Sequence, residues 1–354
     1  MRSTSWCLIV LLGCVFPACS GASDTGLEME GGENLPIDPS DGGGIVLDGA
    51  VTDGAGQDGG ACVVRQITAD PIPAELILLA DHSGSMSDTI SGNTTKWTEE
   101  TGGIKAFVVL PGSARQYGAL MVHPALNVAD TCVLSAYAPP TVGVATFSAN
   151  QSKITSTLGG ITPIDSSPWS AVIKAGLDFA RQEQLAHPER HVATVFMADD
   201  IPTLCSTDIQ NQIVPVVQGY AEPMYVIGMS WYMADQTGFD ALAKAGKTVA
   251  STFLYGTQVT AMAVKSQLDK VRDQTGCDVA IPSDMGDTID PTKYDFEIEY
   301  QGTRLKVATV ANPAACTSGM QYWIRDAKHA ALCPQTCKTL DDAQTKVRFL
   351  SRCP

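Results

Sequence analysis

Basic residues are scarce in this 354-residue chain, and none occurs between Arg2 and Arg65. The 38 acidic residues outnumber the 23 lysines and arginines, which gives a formal net charge of −15. Nucleic acids and anionic lipid surfaces are bound through basic faces. The charge balance therefore argues against both, and we expect neither as a partner.

Catalytic sequence patterns are also missing. The surroundings of Ser83 do not match G-x-S-x-G, the turn that exposes a nucleophilic serine in hydrolases. The five histidines do not show H-E-x-x-H or another metal-binding spacing; they are His82, His123, His187, His191 and His329. We therefore expect a protein that is not an enzyme.

The apolar stretch near the start, Trp6 to Phe16, is far too short to span a bilayer, which takes about 20 apolar residues. Because it follows Arg2, we interpret residues 1–18 as a signal peptide and the protein as exported. Ala18-Cys19-Ser20-Gly21 is typical of a lipoprotein processing site, so Cys19 is the expected lipid anchor to a membrane.

Two alternatives to Cys19 stay open. Leu11-Leu12-Gly13-Cys14 fits the local lipoprotein pattern better, but acylation of Cys14 would leave apolar residues at the mature end. An ordinary secretory signal with incidental cysteines is the other. In each case the chain is expected in the bacterial cell envelope, on the periplasmic face or at the cell surface.

Residues 19–61 are rich in glycine and acidic residues. Such a segment has too little apolar surface to offset the loss of chain entropy on folding, so we expect a flexible acidic tether. The remaining residues are enough for one sizeable domain or for a domain with an appendage.

Strand and helix patterns alternate after residue 62, which is typical of a doubly wound sheet. The predicted strands are Glu75–Ala80, Tyr117–Val122, Val142–Phe147, Thr194–Ala198, Met224–Met229 and Val249–Leu254. The predicted helices are Thr98–Leu110, Ser170–Gln184, Thr207–Tyr220, Gly238–Ala245 and Thr260–Gln274. The predicted fold class is therefore α/β, with a mostly parallel sheet.

The sequence Asp81-His82-Ser83-Gly84-Ser85 directly follows the apolar strand Leu76–Ala80. A carboxylate and two hydroxyls at alternate positions present hard oxygen atoms to one point. Such oxygens suit a small cation such as Mg²⁺. Because the ligand types alternate, we expect His82 to point away from the metal.

This D-x-S-x-S pattern resembles the metal-ion-dependent adhesion site of von Willebrand factor A (VWA) domains. Gly159-Gly160-Ile161-Thr162-Pro163 is similar to the loop that supplies a threonine hydroxyl in that family. Ala193–Asp199 resembles the strand that ends in T-D-G, although Ala198 and Asp200 replace the usual threonine and glycine. The resemblance covers roughly residues 62–274 and implies a Rossmann-like VWA fold, with residues 62–276 as the predicted VWA domain.

The resemblance also implies a ligand set for Mg²⁺ or Mn²⁺. Hydroxyls would come from Ser83, Ser85 and Thr162, while Asp81 and Asp199 would act directly or through water. A remaining position on the metal would then accept a carboxylate from a protein or polysaccharide partner.

Residues 277–354 change in character. Tyr294–Tyr300 alternates apolar and acidic residues, as a half-buried strand does, and Arg304–Val310 and Lys346–Leu350 are further strand-like runs. We interpret this segment as a β-rich extension tied by disulfides. It resembles the tail of A-domain lipoproteins of myxobacterial type in its Cys277–Pro282 and Leu332–Cys337 stretches.

Eight of the 11 cysteines follow Cys19, an even number in an exported chain, and we expect disulfides. Cys132 and Cys205 lie in loops that leave the predicted sheet at the same edge, so they are expected to pair. Cys62 with Cys353 is a guess. The order of pairing among the other four stays open; these are Cys277, Cys316, Cys333 and Cys337.

Three functions follow from these observations. The favoured one is a non-catalytic envelope lipoprotein whose VWA domain binds its partner through the divalent metal. The alternative is a structural module of an envelope complex with a vestigial metal site. A metal-assisted hydrolase comes third, because the site offers no general base beyond its own ligands.

Overall fold

The computed structural model describes residues 66–164, 166–281, 283–284, 287–288, 294–342 and 344–351. The expected signal peptide and tether lie outside the described residues, as do Cys14, Cys19, Cys62 and Cys353. Within the described part, we find no helix that is both long and apolar enough to cross a membrane.

The chain forms strands throughout the described ranges. They are β1 (Gln66–Ala69), β2 (Pro71–Ile72), β3 (Ala74–Asp81), β4 (Thr89–Ser91), β5 (Thr94–Thr95), β6 (Tyr117–His123), β7 (Val142–Thr146), β8 (His191–Ala198), β9 (Met224–Ser230), β10 (Thr252–Tyr255), β11 (Asp278–Ala280), β12 (Ser283–Asp284), β13 (Asp287–Thr288), β14 (Tyr294–Tyr300), β15 (Thr303–Thr309), β16 (Gln321–Ile324), β17 (His329–Leu332) and β18 (Lys346–Ser351). The α-helices are α1 (Lys96–Val108), α2 (Phe147–Gly159), α3 (Trp169–Ala186), α4 (Val214–Gln218), α5 (Gln236–Ala245), α6 (Ala261–Thr275) and α7 (Pro334–Cys337).

A six-stranded sheet forms the centre of the fold, in the order β10-β9-β8-β3-β6-β7. All its neighbouring strands are parallel except β7, which runs antiparallel to β6 at one edge. Strand β3 lies in the middle, and every one of its residues is buried. Strands covered on both faces read as continuous apolar runs, which explains the sequence Leu76–Ala80.

Helices cover both faces of this sheet. Leu76, Leu78 and Ala80 of β3 pack into one apolar core with Ile104 of α1 and side chains of α2 and α6. The intervening Ile77 and Leu79 pack into a second core with residues of α3, α4 and α5. Successive side chains of a strand point to opposite faces, so β3 contributes to both cores. The expected doubly wound α/β fold is confirmed.

Some predicted elements differ in the structure. Helix α2 was not predicted; it begins after Thr146, whose hydroxyl accepts a hydrogen bond from the Ala149 amide. The predicted helix over 207–220 begins with the π-helical turn Ile209–Ile213 and continues only as the short α4. Pro215 lies in the first turn of α4, where its missing N–H costs nothing.

A second sheet of eight strands has the order β1-β18-β14-β15-β16-β17-β11-β2. Its core contains Phe296, Ile298, Tyr322 and Phe349. Strands β1 and β2 precede the central sheet in the chain, within the range that the sequence analysis gave to the first domain. They pair instead with β18 and β11 of the C-terminal segment. This segment is therefore the β-rich appendage that was expected, closed by strands from residues 66–72.

Two disulfides tie the appendage. Cys277 bonds to Cys337 and Cys316 bonds to Cys333, with Cα–Cα distances of 5.4 and 5.7 Å. The sequence left open which of these four cysteines pair with each other, and the structure shows these two bonds.

Candidate metal site

The candidate site lies where two neighbouring parallel strands end. Numbered from 1 to 6 by their position in the chain, the strands of the central sheet lie side by side in the order 6-5-4-1-2-3. The direction in which the chain adds strands therefore reverses between β3 and β8. Ligands of open α/β sheets bind outside the carboxyl ends of the strands at such a switch point. Asp81 ends β3 and Asp199 directly follows β8.

The Asp81 carboxylate connects the two loops of the site. Its Oδ1 accepts a hydrogen bond from the Ser83 amide at 2.7 Å, and its Oδ2 faces the Asp199 amide at 3.4 Å. Both aspartates are fully buried. Asp81 thus fixes the positions of Ser83 and Asp199 through their backbones.

Three side-chain oxygens meet in the crevice. Ser85 Oγ lies 2.8 Å from Asp199 Oδ1 and 3.3 Å from Ser83 Oγ, and Ser83 Oγ lies 3.4 Å from Asp199 Oδ1. Neighbouring ligands around an octahedral Mg²⁺ are about 2.9 Å apart. The three oxygens therefore fit one face of such a coordination sphere, and their chemistry suits a hard cation.

Thr162 belongs to a loop that is anchored beside this cluster. The carbonyl of Ile161 accepts a hydrogen bond from Trp97 Nε1 at 3.1 Å, and the Ile164 amide donates to the His82 carbonyl at 2.8 Å. Thr162 itself is exposed, and no hydrogen bond joins it to the other expected ligands in the part of the chain that the structure describes. Four of the five predicted ligands are thus brought together, and the fifth is on the adjoining loop.

Lys96 is a member of the site that the sequence analysis missed. Its Nζ donates to Asp199 Oδ2 at 2.7 Å and to Asp88 Oδ2 at 3.3 Å, and its side chain is 5% exposed. Lys96 is the first residue of α1, after the N-cap Thr95. A cation is disfavoured at a helix N-terminus by the helix dipole, and this unusual position was the available signal that Lys96 has a specific partner.

Glu100, also missed, lies one helical turn after Lys96 and is fully buried. Its Oε1 accepts a hydrogen bond from the Asp81 amide at 3.2 Å, while its Oε2 has no hydrogen-bond partner among the described residues. Burial, with a further contribution from the Asp81 charge, raises the pKa of Glu100 well above its ordinary value. The raised pKa favours the uncharged form of Glu100.

The pKa values of the two aspartates reflect their crowding. Burial raises the pKa of Asp81 to about 6 and, with repulsion from Asp81, that of Asp199 to about 7. Burial lowers the pKa of Lys96, but the carboxylates of Asp199 and Asp88 outweigh that effect and raise it overall. The cluster thus has less positive charge than its carboxylates would balance, and a bound cation would supply the rest.

His82 points away from the oxygen cluster, as expected. Its Nε2 lies 2.6 Å from the Pro124 carbonyl, beyond the end of β6. His123, the last residue of β6, places its Nδ1 3.7 Å from Asp81 Oδ1. Burial lowers the pKa of both histidines to about 4, so both are neutral at pH 7 and add no positive charge.

The loops beside the site are joined covalently. Cys132 and Cys205 form a disulfide with a Cα–Cα distance of 5.3 Å, the pairing expected from the topology. Cys205 has a φ of 71°, an uncommon backbone conformation for a residue other than glycine. The bond connects the segment after β6 with the segment after β8.

Comparisons with known proteins give structural likeness only. No family model matches the sequence, and no curated protein matches it. Similar solved structures include a manganese-loaded TRAP protein of Plasmodium vivax, with 16% identity over 50% of this chain and 65% of that chain, at a TM-score of 0.32. A von Willebrand factor type A protein from Catenulispora acidiphila has 10% identity over 82% of this chain and 61% of that chain, at a TM-score of 0.39.

Proximal thread matrix protein 1 from the mussel byssus, with a zinc-occupied metal-ion-dependent adhesion site (MIDAS), is a third similar structure. It has 14% identity over 60% of this chain and 50% of that chain, at a TM-score of 0.37. The alignments thus take in less than two thirds of each of these chains. At such TM-scores the likeness adds no weight to the chain's own topology and site.

Proposed function

We propose that this protein is a non-catalytic, VWA-type envelope lipoprotein that binds a partner through a divalent cation at the Asp81–Asp199 site. The observation that carries the proposal is the set of oxygens from Ser83, Ser85 and Asp199 within 3.4 Å of one another. Bound there, Mg²⁺ or Mn²⁺ would supply a Lewis-acidic contact for an anionic group. Asp81 would hold the two loops in place.

The partner class follows from the charge of the cation. A carboxylate compensates that charge, so a protein or a polysaccharide that offers an acidic group is the proposed ligand. Thr162 is exposed on the adjoining loop and would add a hydroxyl. Asp200, half-buried next to Asp199, would repel an incoming carboxylate and weaken this contact.

Calorimetric and thermal titrations with Mg²⁺ and Mn²⁺ test the metal site. We expect both ions to bind the wild-type protein and to raise its melting temperature. Asp81→Ala should abolish the effect, because it removes the carboxylate that positions Ser83 and Asp199. Asp200→Gly is the matched control and should preserve it.

The negative result favours the second function. If millimolar Mg²⁺ and Mn²⁺ leave the wild-type melting curve unmoved and calorimetry shows no binding, the metal site is a relic. The protein is then better described as a structural module of an envelope complex, with binding done elsewhere.

The anchor is tested separately, since Cys19 lies outside the described residues. Cys19→Ser should release the protein from the membrane fraction while leaving it in the envelope. Release on Cys14→Ser, with continued attachment of Cys19→Ser, would show that Cys14 carries the lipid.

A further inference from the structure

The two carboxylate oxygens of Asp199 have different partners. Oδ1 faces the hydroxyls of Ser85 and Ser83, whereas Oδ2 accepts a hydrogen bond from Lys96 Nζ at 2.7 Å. The ammonium group therefore binds one oxygen of the Asp199 carboxylate, while the other oxygen belongs to the group of three that fits a metal ion. Because Lys96 is buried, its charge is only weakly screened by solvent and salt.

The positive charge of Lys96 has two partners of unequal burial. Asp199 is fully buried, whereas the Asp88 side chain is 57% exposed and lies 3.3 Å from the ammonium. The ammonium can thus shift toward Asp88 without losing every anionic partner.

We propose that Lys96 is a built-in competitor of the divalent ion, whose ammonium group neutralises Asp199 in the metal-free protein and weakens metal binding there. This inference rests on the proposed function, because it presupposes a cation site at Asp199. Like charges repel, so the metal ion and the ammonium share Asp199 at a cost in affinity. The consequence is a site that exchanges its ion readily and that remains ordered without one.

The test is calorimetric titration of the full chain with MnCl₂. Lys96→Met keeps the length and apolar stem of the side chain but removes the charge, and it should bind Mn²⁺ about tenfold more tightly than the wild type, or better. Lys96→Arg keeps the charge and should bind no more tightly than the wild type. Lys105→Met removes a charge from the same helix and should bind within about twofold of the wild type.

The outcomes separate this inference from the proposed function. If the wild type binds Mn²⁺ and Lys96→Met binds it equally or more weakly, Lys96 does not compete and only the inference fails. If Lys96→Met binds and the wild type does not, the inference stands. If neither protein binds, both the inference and the proposed metal site are wrong.

A second variant covers the case in which Lys96→Met does not fold without metal. Asp88→Asn removes the exposed partner, so the ammonium depends on Asp199 alone and competes more strongly. Mn²⁺ binding should then weaken by about threefold. Unchanged or tighter binding by Asp88→Asn would overturn the competition between Lys96 and the metal.

Discussion

A carboxylate is buried at each end of strand β3, but the two carboxylates have different charges around them. Glu75, near the start of the strand, forms an ion pair with Arg190, whose Nη1 lies 2.8 Å from the carboxylate. The Arg190 guanidinium also lies over the Tyr117 ring, 3.6 Å from its centre. Asp81, at the end, is held by backbone amides and lies beside the neutral His123. One carboxylate is matched by a cation, and the other is crowded with further acidic groups.

This difference separates a structural ion pair from a candidate functional cluster. The charge of a buried carboxylate that has an arginine partner is matched within the fold, and breaking the pair mainly affects stability. Burial raises the pKa of Glu75 as well as those of Asp81 and Asp199, so the difference lies in the cation partner. Buried acidic groups that share too little positive charge mark sites where an external cation is expected. In this chain both situations occur on one strand, and variants at each end should therefore differ in kind.

The largest effect is expected at the amino end. Arg190→Met leaves Glu75 buried without its cation and should lower the free energy of unfolding by about 3–5 kcal/mol. Urea unfolding measures it, with the exposed Arg181→Met as a control that should change stability by about 0.5 kcal/mol or less. If Arg190→Met lowers the free energy of unfolding no more than Arg181→Met does, the ion pair between Arg190 and Glu75 does not stabilise the fold.

A smaller loss is expected at the carboxyl end, where a covalent bond holds the loops. The double variant Cys132→Ser with Cys205→Ser should lower the free energy of unfolding by about 2–4 kcal/mol, because the unfolded chain is less constrained without this bond. Urea unfolding without reductant measures this loss. Non-reducing peptide mapping checks the bond itself, and a peptide that joins Cys132 to Cys277 would contradict it.

The smallest effect is a pH dependence at the carboxyl end. The folded pKa of Asp199, about 7, lies above its ordinary value of 3.8, so the bound proton stabilises the folded state. That contribution is present at low pH and is lost as the pH rises through 7. Between about pH 6.5 and pH 8 the metal-free protein should therefore lose about 1 kcal/mol more stability than a variant in which residue 199 cannot titrate.

Asp199→Asn is that variant, because its side chain no longer titrates, and its stability should fall less, or rise more, over this pH range than that of the wild type. The histidines of the site, with pKa values of about 4 against an ordinary 6.5, act in the opposite sense up to about pH 7.5. Both proteins contain them, so their contribution cancels in the comparison. Urea unfolding of both proteins at the two pH values gives the comparison. An equal slope in the variant would show that another group titrates.

Local sequence was sufficient for much of the fold and for part of the site. The apolar run before Asp81 specifies a strand buried on both faces, and the spacing of Ser83 and Ser85 places their hydroxyls on one turn. Asp199 was found in the same way, by the apolar strand that it follows. In these cases the informative residues are neighbours in the chain.

Other features depend on contacts between distant segments. Lys96 and Glu100 contribute to the site because α1 packs beside the ends of β3 and β8. The residues next to them in the chain do not predict that contact. Strands β1 and β2 are too short to be recognised by their pattern, and they form by pairing with β18 and β11.

The sequence by itself determined the central α/β alternation, the acidic character and the cluster of oxygen-bearing side chains that follows Asp81. The reason is that side-chain periodicity and short-range spacing are properties of neighbouring residues. Only the tertiary structure decided that a buried ammonium from Lys96 shares Asp199 with that site. The physical reason is that electrostatic balance depends on distances in space, and Lys96 reaches Asp199 only after the helix and the sheet have packed together.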